Sequence, residues 1–280
     1  VQVVPNGIDP DLFTPFGSKA SLPTSKRFKF LFVGGTIFRK GIDVLLQAYA
    51  KAFTAADDVC LVIKDMGGAS FYRGQTARTT IEEFRLRPDA PEVVYIDRTM
   101  KEEEVAELYR ACDVLVSPYR GEGFSLPTLE AMACGLPVIV TDGGATDDFV
   151  DDDNGWLIPA EPRSLGNRID GHELTGEAFV LEPDVEVLTV LMNRAYDFPA
   201  EAAQKGRVGS LRARTLWTWN RATLKLLSRL DVLYNTHMAS DAQDVLSDKA
   251  DGSIAVCRAE EAYLEGRLDD AIALYNAAVT

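Results

Sequence analysis

The chain has 280 residues, 46% hydrophobic and 26% charged, an ordinary composition for one large globular unit or two modest ones. Its net charge of −14, from 29 basic and 43 acidic residues, repels phosphate backbones and argues against nucleic-acid binding. Four scattered cysteines, no CxxC pair and two histidines argue against a metal site, and no apolar run approaches the roughly 20 residues that a spanning helix needs. The scattered cysteines suit a reducing cytosol, so a cytoplasmic location is expected, with the inner face of a membrane as a secondary one.

The chain opens without Met and as if mid-protein, which leads us to expect a fragment. VVPNGID (Val3 to Asp9) and a polar Ser/Pro/Lys connector fill residues 1–27. Short runs rich in β-branched and apolar residues then read as buried strands at Phe28 to Val33, Cys60 to Ile63, Val93 to Ile96, Val114 to Ser117 and Val138 to Thr141. Helical patterns lie between them at about 42–54, 76–86, 101–111 and 127–134. In the third, Val105, Leu108, Tyr109 and Cys112 form a single apolar stripe. Strict alternation of strand and helix predicts an α/β fold with a doubly wound parallel sheet, whose ligands sit beyond the carboxyl ends of the strands. Two loops follow strands at that edge, 34–41 and 119–126.

The second loop enters the most informative stretch, YRGEGFSLPTLEAMACGLPVIV (Tyr119 to Val140). Pro127 suits a first helical turn, and Gly135 followed by Pro137 marks the stop. The N-terminus of this short helix faces Gly121-Glu122-Gly123-Phe124-Ser125, so free N–H groups and the positive end of the helix dipole favour an anion there. Glu122 and Glu130 stand on either side, able to accept sugar hydroxyls.

Residues 161–183 break the rhythm and read as a loop-like insertion. Helical patterns resume at about 184–198, 199–215 and 217–234. The basic span 200–230 has two readings: helices that close the domain, which we prefer, and contact with an anionic membrane surface. After a polar link, Gly266, Ala271, Ile272, Tyr275 and Ala278 resemble one tetratricopeptide repeat, a helix–turn–helix unit that needs neighbours to bury its face.

Glu122, seven residues, then Glu130, with GFSLP between, resembles the motif of retaining family 4 glycosyltransferases of the GT-B fold. VVPNGID, FLFVGGTIFRKGIDVLLQAY (Phe30 to Tyr49) and GWLIP (Gly155 to Pro159) are similar to further segments of the same family. The resemblance implies that residues 1–235 are one Rossmann-like half of such an enzyme, the half that binds a UDP- or GDP-sugar; the tetratricopeptide-like segment at 240–280 follows, and its helical repeats are a candidate contact for a protein partner. It implies Glu122 on the donor sugar, Glu130 on the ribose, and Lys40 on the diphosphate. The family often has Arg where this chain has Gly35, so Arg39 either replaces that charge or points to solvent. Backbone N–H groups of Gly123, Phe124, Ser125 and Leu126, with the Thr128 hydroxyl, are expected on the departing phosphates. Asp97, Arg98 and Thr99 are candidates for the base pocket, with uracil and guanine both open. No cofactor and no metal are expected, because these cations and amides can carry the developing charge. The acceptor (a glycan, lipid or protein) would bind a separate domain. The other reading is a non-catalytic nucleotide-sugar-binding module whose repeat serves as a protein-interaction adaptor.

Overall fold

A computed structural model of the chain describes residues 3–68, 71–169 and 172–241. Its centre is a sheet of six parallel strands: β1 (Phe28–Gly34), β2 (Val59–Asp65), β3 (Glu92–Ile96), β4 (Val114–Ser117), β5 (Val138–Thr141) and β6 (Gly155–Ile158). Helices α1 (Ile42–Ala52), α2 (Arg78–Arg85), α3 (Glu102–Ala111) and α4 (Leu126–Ala133) connect the first five in strict alternation. The strand order is β3-β2-β1-β4-β5-β6, so the winding reverses between β1 and β4. Such a reversal opens a crevice beyond the carboxyl ends of the two strands, and the 34–41 and 119–126 loops both leave from it.

Continuous apolar runs become strands here because both sheet faces are covered. All seven residues of β2, VCLVIKD, are buried. Side chains alternate between two cores. Leu31, Val33, Val62, Leu115 and Val138 pack with Leu108 and Tyr109 of α3 and Leu129 and Met132 of α4. Phe30, Phe32, Leu61, Ile63 and Ile139 pack with Leu45 and Tyr49 of α1 and with Leu188 and Met192 of α5 (Val185–Asp197). Each fully buried side chain of this size contributes on the order of 1.5–3 kcal/mol. Cys60, Cys112 and Cys134 are buried free thiols within or beside these cores.

Helix α4 stops as its sequence predicts. Gly135 adopts φ +92°, its N–H donates to the Met132 carbonyl, and the Leu136 N–H donates to the Ala131 carbonyl. Helix α6 (Pro199–Leu216) packs on α4, and its Ser210 hydroxyl donates to the Ala133 carbonyl at 2.9 Å. The basic side chains of α6 bond within the fold: Lys205 to the carbonyls of Asp152 and Gly155, Arg212 to Asp151 and Asp153, and Arg214 to the Pro10 carbonyl. Ile8 of the VVPNGID segment bridges to Thr218, which ties the start of the unit to its end. Residues 3–223 form one compact unit; beyond it the structure describes the remainder of helix α7 (Trp219–Asp241). No helix among the described residues is long and apolar enough to cross a membrane.

One expectation fails. Residues 161–183 are not a loop but most of an antiparallel hairpin, β7 (Ala160–Ile169) and β8 (His172–Pro183), with register shifts near Ser164 to Arg168. Most of its side chains are solvent-exposed, so no buried face imposes the period-2 alternation that marks a strand in sequence. The tetratricopeptide-like segment at 240–280 lies outside the described residues, apart from the last turn of α7.

Candidate functional site

The loop after β1 turns at Gly35, crosses one 3-10 turn (Phe38–Lys40), and enters α1 through Gly41 at φ +70°. A Cβ on Gly41 would collide with the carbonyl of Pro118, so the β1 and β4 loops touch backbone to backbone. A Cβ on Gly35 would strike the ring of Tyr72, which occupies the space a side chain would need there.

That contact brings three predicted site residues together. The Lys40 ammonium pairs with Glu122 Oε1, and both side chains are largely buried, 12% and 8% exposed. Arg39 is more open at 43%; its Nη1 donates to the Gly121 carbonyl at 2.6 Å and to Glu122 Oε2 at 3.3 Å. Its Nη2 reaches the Tyr72 hydroxyl at 3.4 Å. Arg39 therefore turns toward the β4 loop and not toward solvent alone. Burial, and then the neighbouring Arg39 charge, lower the Lys40 ammonium to about 8.

Beyond Glu122 the loop rises into α4. The N–H groups of Gly123, Phe124, Ser125 and Leu126 find no acceptor among the described residues. Ser125 precedes the helix at φ 67° and ψ 54°, the one left-handed residue other than glycine among those described. Its hydroxyl pairs with that of Thr128 at 2.8 Å, and Thr128 is fully buried. The Thr128 hydroxyl, expected on a phosphate, bonds Ser125 in that left-handed conformation. The Phe124 ring packs with Phe149 and Trp217, so this residue offers the site only its backbone.

Glu130 lies one turn into α4 and accepts the Tyr109 hydroxyl at 2.9 Å. Burial raises its carboxyl above the usual range, with the Tyr109 hydrogen bond working against that rise. Arg98 does not join this group. At the end of β3 its guanidinium pairs with Glu104 at 2.8 Å and donates to the Thr99 carbonyl, while the Asp97 carboxylate pairs with Arg78.

Sequence reading passed over Asp65, Arg120 and Tyr72. Asp65 accepts the Thr36 N–H at 3.0 Å, the Thr36 hydroxyl at 2.9 Å and the Tyr95 hydroxyl at 2.5 Å, and so fixes the start of the β1 loop. A carboxylate at the end of a strand that is apolar up to Lys64 was the available signal. Tyr72 carries no local signal, since Gly35 lies far from it in the chain.

A family model for glycosyl transferases group 1 matches residues 27–171, just over half of the chain. The chain belongs to that family. Among curated relatives, the D-inositol 3-phosphate glycosyltransferase of Arthrobacter sp. (strain FB24) is 31% identical over 227 residues, covering 79% of this chain and 47% of that one. The sucrose-phosphate synthase of Thermosynechococcus elongatus superposes with a TM-score of 0.62 at 24% identity, over 84% of this chain and 53% of that one. Anabaena HepE, solved with UDP and glucose, gives a TM-score of 0.58 at 18% identity, over 82% and 56%. The likeness to these structures bears out the Rossmann-like half of a GT-B fold. The chain spans about half the length of the curated relatives it matches.

Proposed function

We propose that this chain is the donor half of an enzyme that moves a sugar from a UDP- or GDP-sugar to an acceptor, with retention at the anomeric carbon. The observation that carries the reading is a convergence at the sheet's reversal point. Lys40 and Arg39 from one loop meet Glu122 from the other, beside four N–H groups without acceptors among the described residues. In this reading the amides of Gly123 to Leu126 receive the diphosphate, and Lys40 moves from Glu122 onto it. The freed Glu122 carboxylate then accepts hydroxyls of the donor sugar. Glu130, held by Tyr109, accepts the ribose hydroxyls. As the glycosidic bond breaks, charge accumulates on the leaving diphosphate. Cations and amides already fixed in place stabilise it without reorganising.

The UDP bound to the similarly folded HepE supports a nucleotide as the ligand. The name of the Arthrobacter relative supports a hydroxyl acceptor. Because the chain matches about half of such relatives, we assign the acceptor to their other half; transfer requires it held about 3–3.5 Å from the anomeric carbon. The test is calorimetry of the chain with UDP and GDP, followed by incubation with nucleotide sugars and candidate acceptors. Saturable binding of one nucleotide, without efficient transfer by a verified monomer, is expected. Absence of binding to both nucleotides would overturn the donor site, and robust transfer by the monomer would overturn the division of labour.

A further inference from the structure

Arg120 sits in the ligand loop between Tyr119 and Gly121, yet its side chain is only 3% exposed. Every N–H of its guanidinium is engaged. Nε donates to the Glu182 carboxylate at 3.0 Å. Nη1 donates to the Phe38 carbonyl at 2.8 Å and to Asp43 Oδ1 at 2.7 Å. Nη2 donates to Asp43 Oδ2 at 2.7 Å and to Glu182 Oε1 at 2.6 Å. The guanidinium also stacks 3.9 Å from the centre of the Phe38 ring. Arg163 of β7 approaches the same ring at 5.2 Å and pairs with Glu182 at 2.7 Å. The Arg120 backbone adds two ties: its N–H donates to the Arg39 carbonyl at 2.8 Å, and its carbonyl accepts the Leu181 N–H at 3.0 Å.

One residue therefore joins the turn that carries Arg39 and Lys40, the first turn of α1, the loop that carries Glu122, and strand β8. A guanidinium with all five donors engaged has none left for a phosphate. We propose that Arg120 is a positioning residue: it fixes the Phe38–Lys40 turn against Gly121 and Glu122, and it makes the β7–β8 hairpin a brace of the donor site. The inference rests on the donor-site reading above.

Lysine is the informative replacement. It keeps the charge but offers three donors and no plane to stack on Phe38. The turn would then shift relative to the β4 loop, and Lys40 and Arg39 with it. Glu130 is held by Tyr109, outside this clamp, so the ribose side should not move. The signature is a loss selective for phosphate, which general destabilisation of the fold does not produce.

The experiment titrates the wild-type chain, Arg120→Lys and Glu182→Gln with UDP and GDP by calorimetry, and with uridine and guanosine by ligand-observed NMR. Circular dichroism checks the fold of each. Arg120→Lys should weaken diphosphate binding by about tenfold or more and Glu182→Gln by about threefold, with nucleoside affinity held within about twofold. A folded Arg120→Lys that binds UDP and GDP like wild type overturns the proposal, as does a parallel loss of nucleoside and nucleotide. If Arg120→Lys does not fold, Glu182→Gln decides by the same criterion. Wild-type protein without affinity for either nucleotide overturns the donor-site reading itself, and this role with it.

Discussion

Helix α5 opens at Asp184, whose Oδ1 accepts the N–H groups of Glu186 at 2.8 Å and Val187 at 3.0 Å. Helix α4 opens at Ser125 with no side-chain cap and leaves the N–H groups of Gly123 to Leu126 without acceptors among the described residues. Both helices belong to the same unit and pack on the same sheet. A capping carboxylate typically contributes about 1 kcal/mol, and a left-handed residue other than glycine costs roughly 1–2 kcal/mol, so α4 begins at a disadvantage on both counts. The difference separates a helix start that completes itself from one that, in the proposed reading, awaits an external anion. Lys40 and Arg39, both turned to the same loop, add positive charge beside the uncapped end.

The largest expected effect tests the uncapped start. Lys40→Ala and Glu130→Ala should each weaken UDP or GDP binding by roughly 1–3 kcal/mol, or about 5- to 150-fold, because each removes a charge-assisted or hydroxyl contact. Calorimetry on both variants is the measurement. Unchanged affinity for both nucleotides would place the ligand elsewhere and leave the open helix start without a purpose.

Legibility followed how local each signal was. β2 could be read because a strand covered on both faces is a continuous apolar run, and the stop of α4 because glycine marks a left-handed cap. The β7–β8 hairpin could not, since exposed strands such as RSLGN need no alternation. Within the site, Lys40 and Glu122 were singled out through the family resemblance, and the structure brings the two side chains together. Arg120 was not, because its partner Glu182 lies 62 residues away and nothing near Arg120 announces an inward side chain. The pairing of the buried Thr128 hydroxyl with Ser125 was likewise not legible, because nothing in the sequence shows which way a hydroxyl in the first helical turn points.

A smaller effect concerns pH. A diphosphate favours the charged form of Lys40, so the bound state holds that proton more tightly than the free state, and raising pH through about 8 opposes binding. The phosphate's own second ionisation, near pH 6, is complete by then. UDP affinity should be level near pH 7 and fall roughly three- to tenfold by pH 9, following one-proton linkage. Lys40→Arg should abolish the fall, because a guanidinium stays charged throughout. A flat wild-type profile would show that Lys40 does not meet the phosphate as a titrating cation.

The smallest effect falls on the self-completed helix. Asp184→Ala removes the acceptor for the Glu186 and Val187 N–H groups and should cost about 1 kcal/mol, a fall of roughly 2–4 °C in melting temperature for a unit of this size. Its nucleotide affinity should equal that of wild type, since Asp184 lies after β8 and makes no hydrogen bond with the β1 or β4 loops among the described residues. Saturating UDP should then raise the melting temperature of Asp184→Ala and of wild type by the same increment, because a ligand that binds only the folded state stabilises in proportion to its affinity. Differential scanning fluorimetry with and without nucleotide reads both quantities in one experiment. An unequal increment would mean that the start of α5 also answers to the ligand, and the contrast between the two helix starts would no longer separate structure from function.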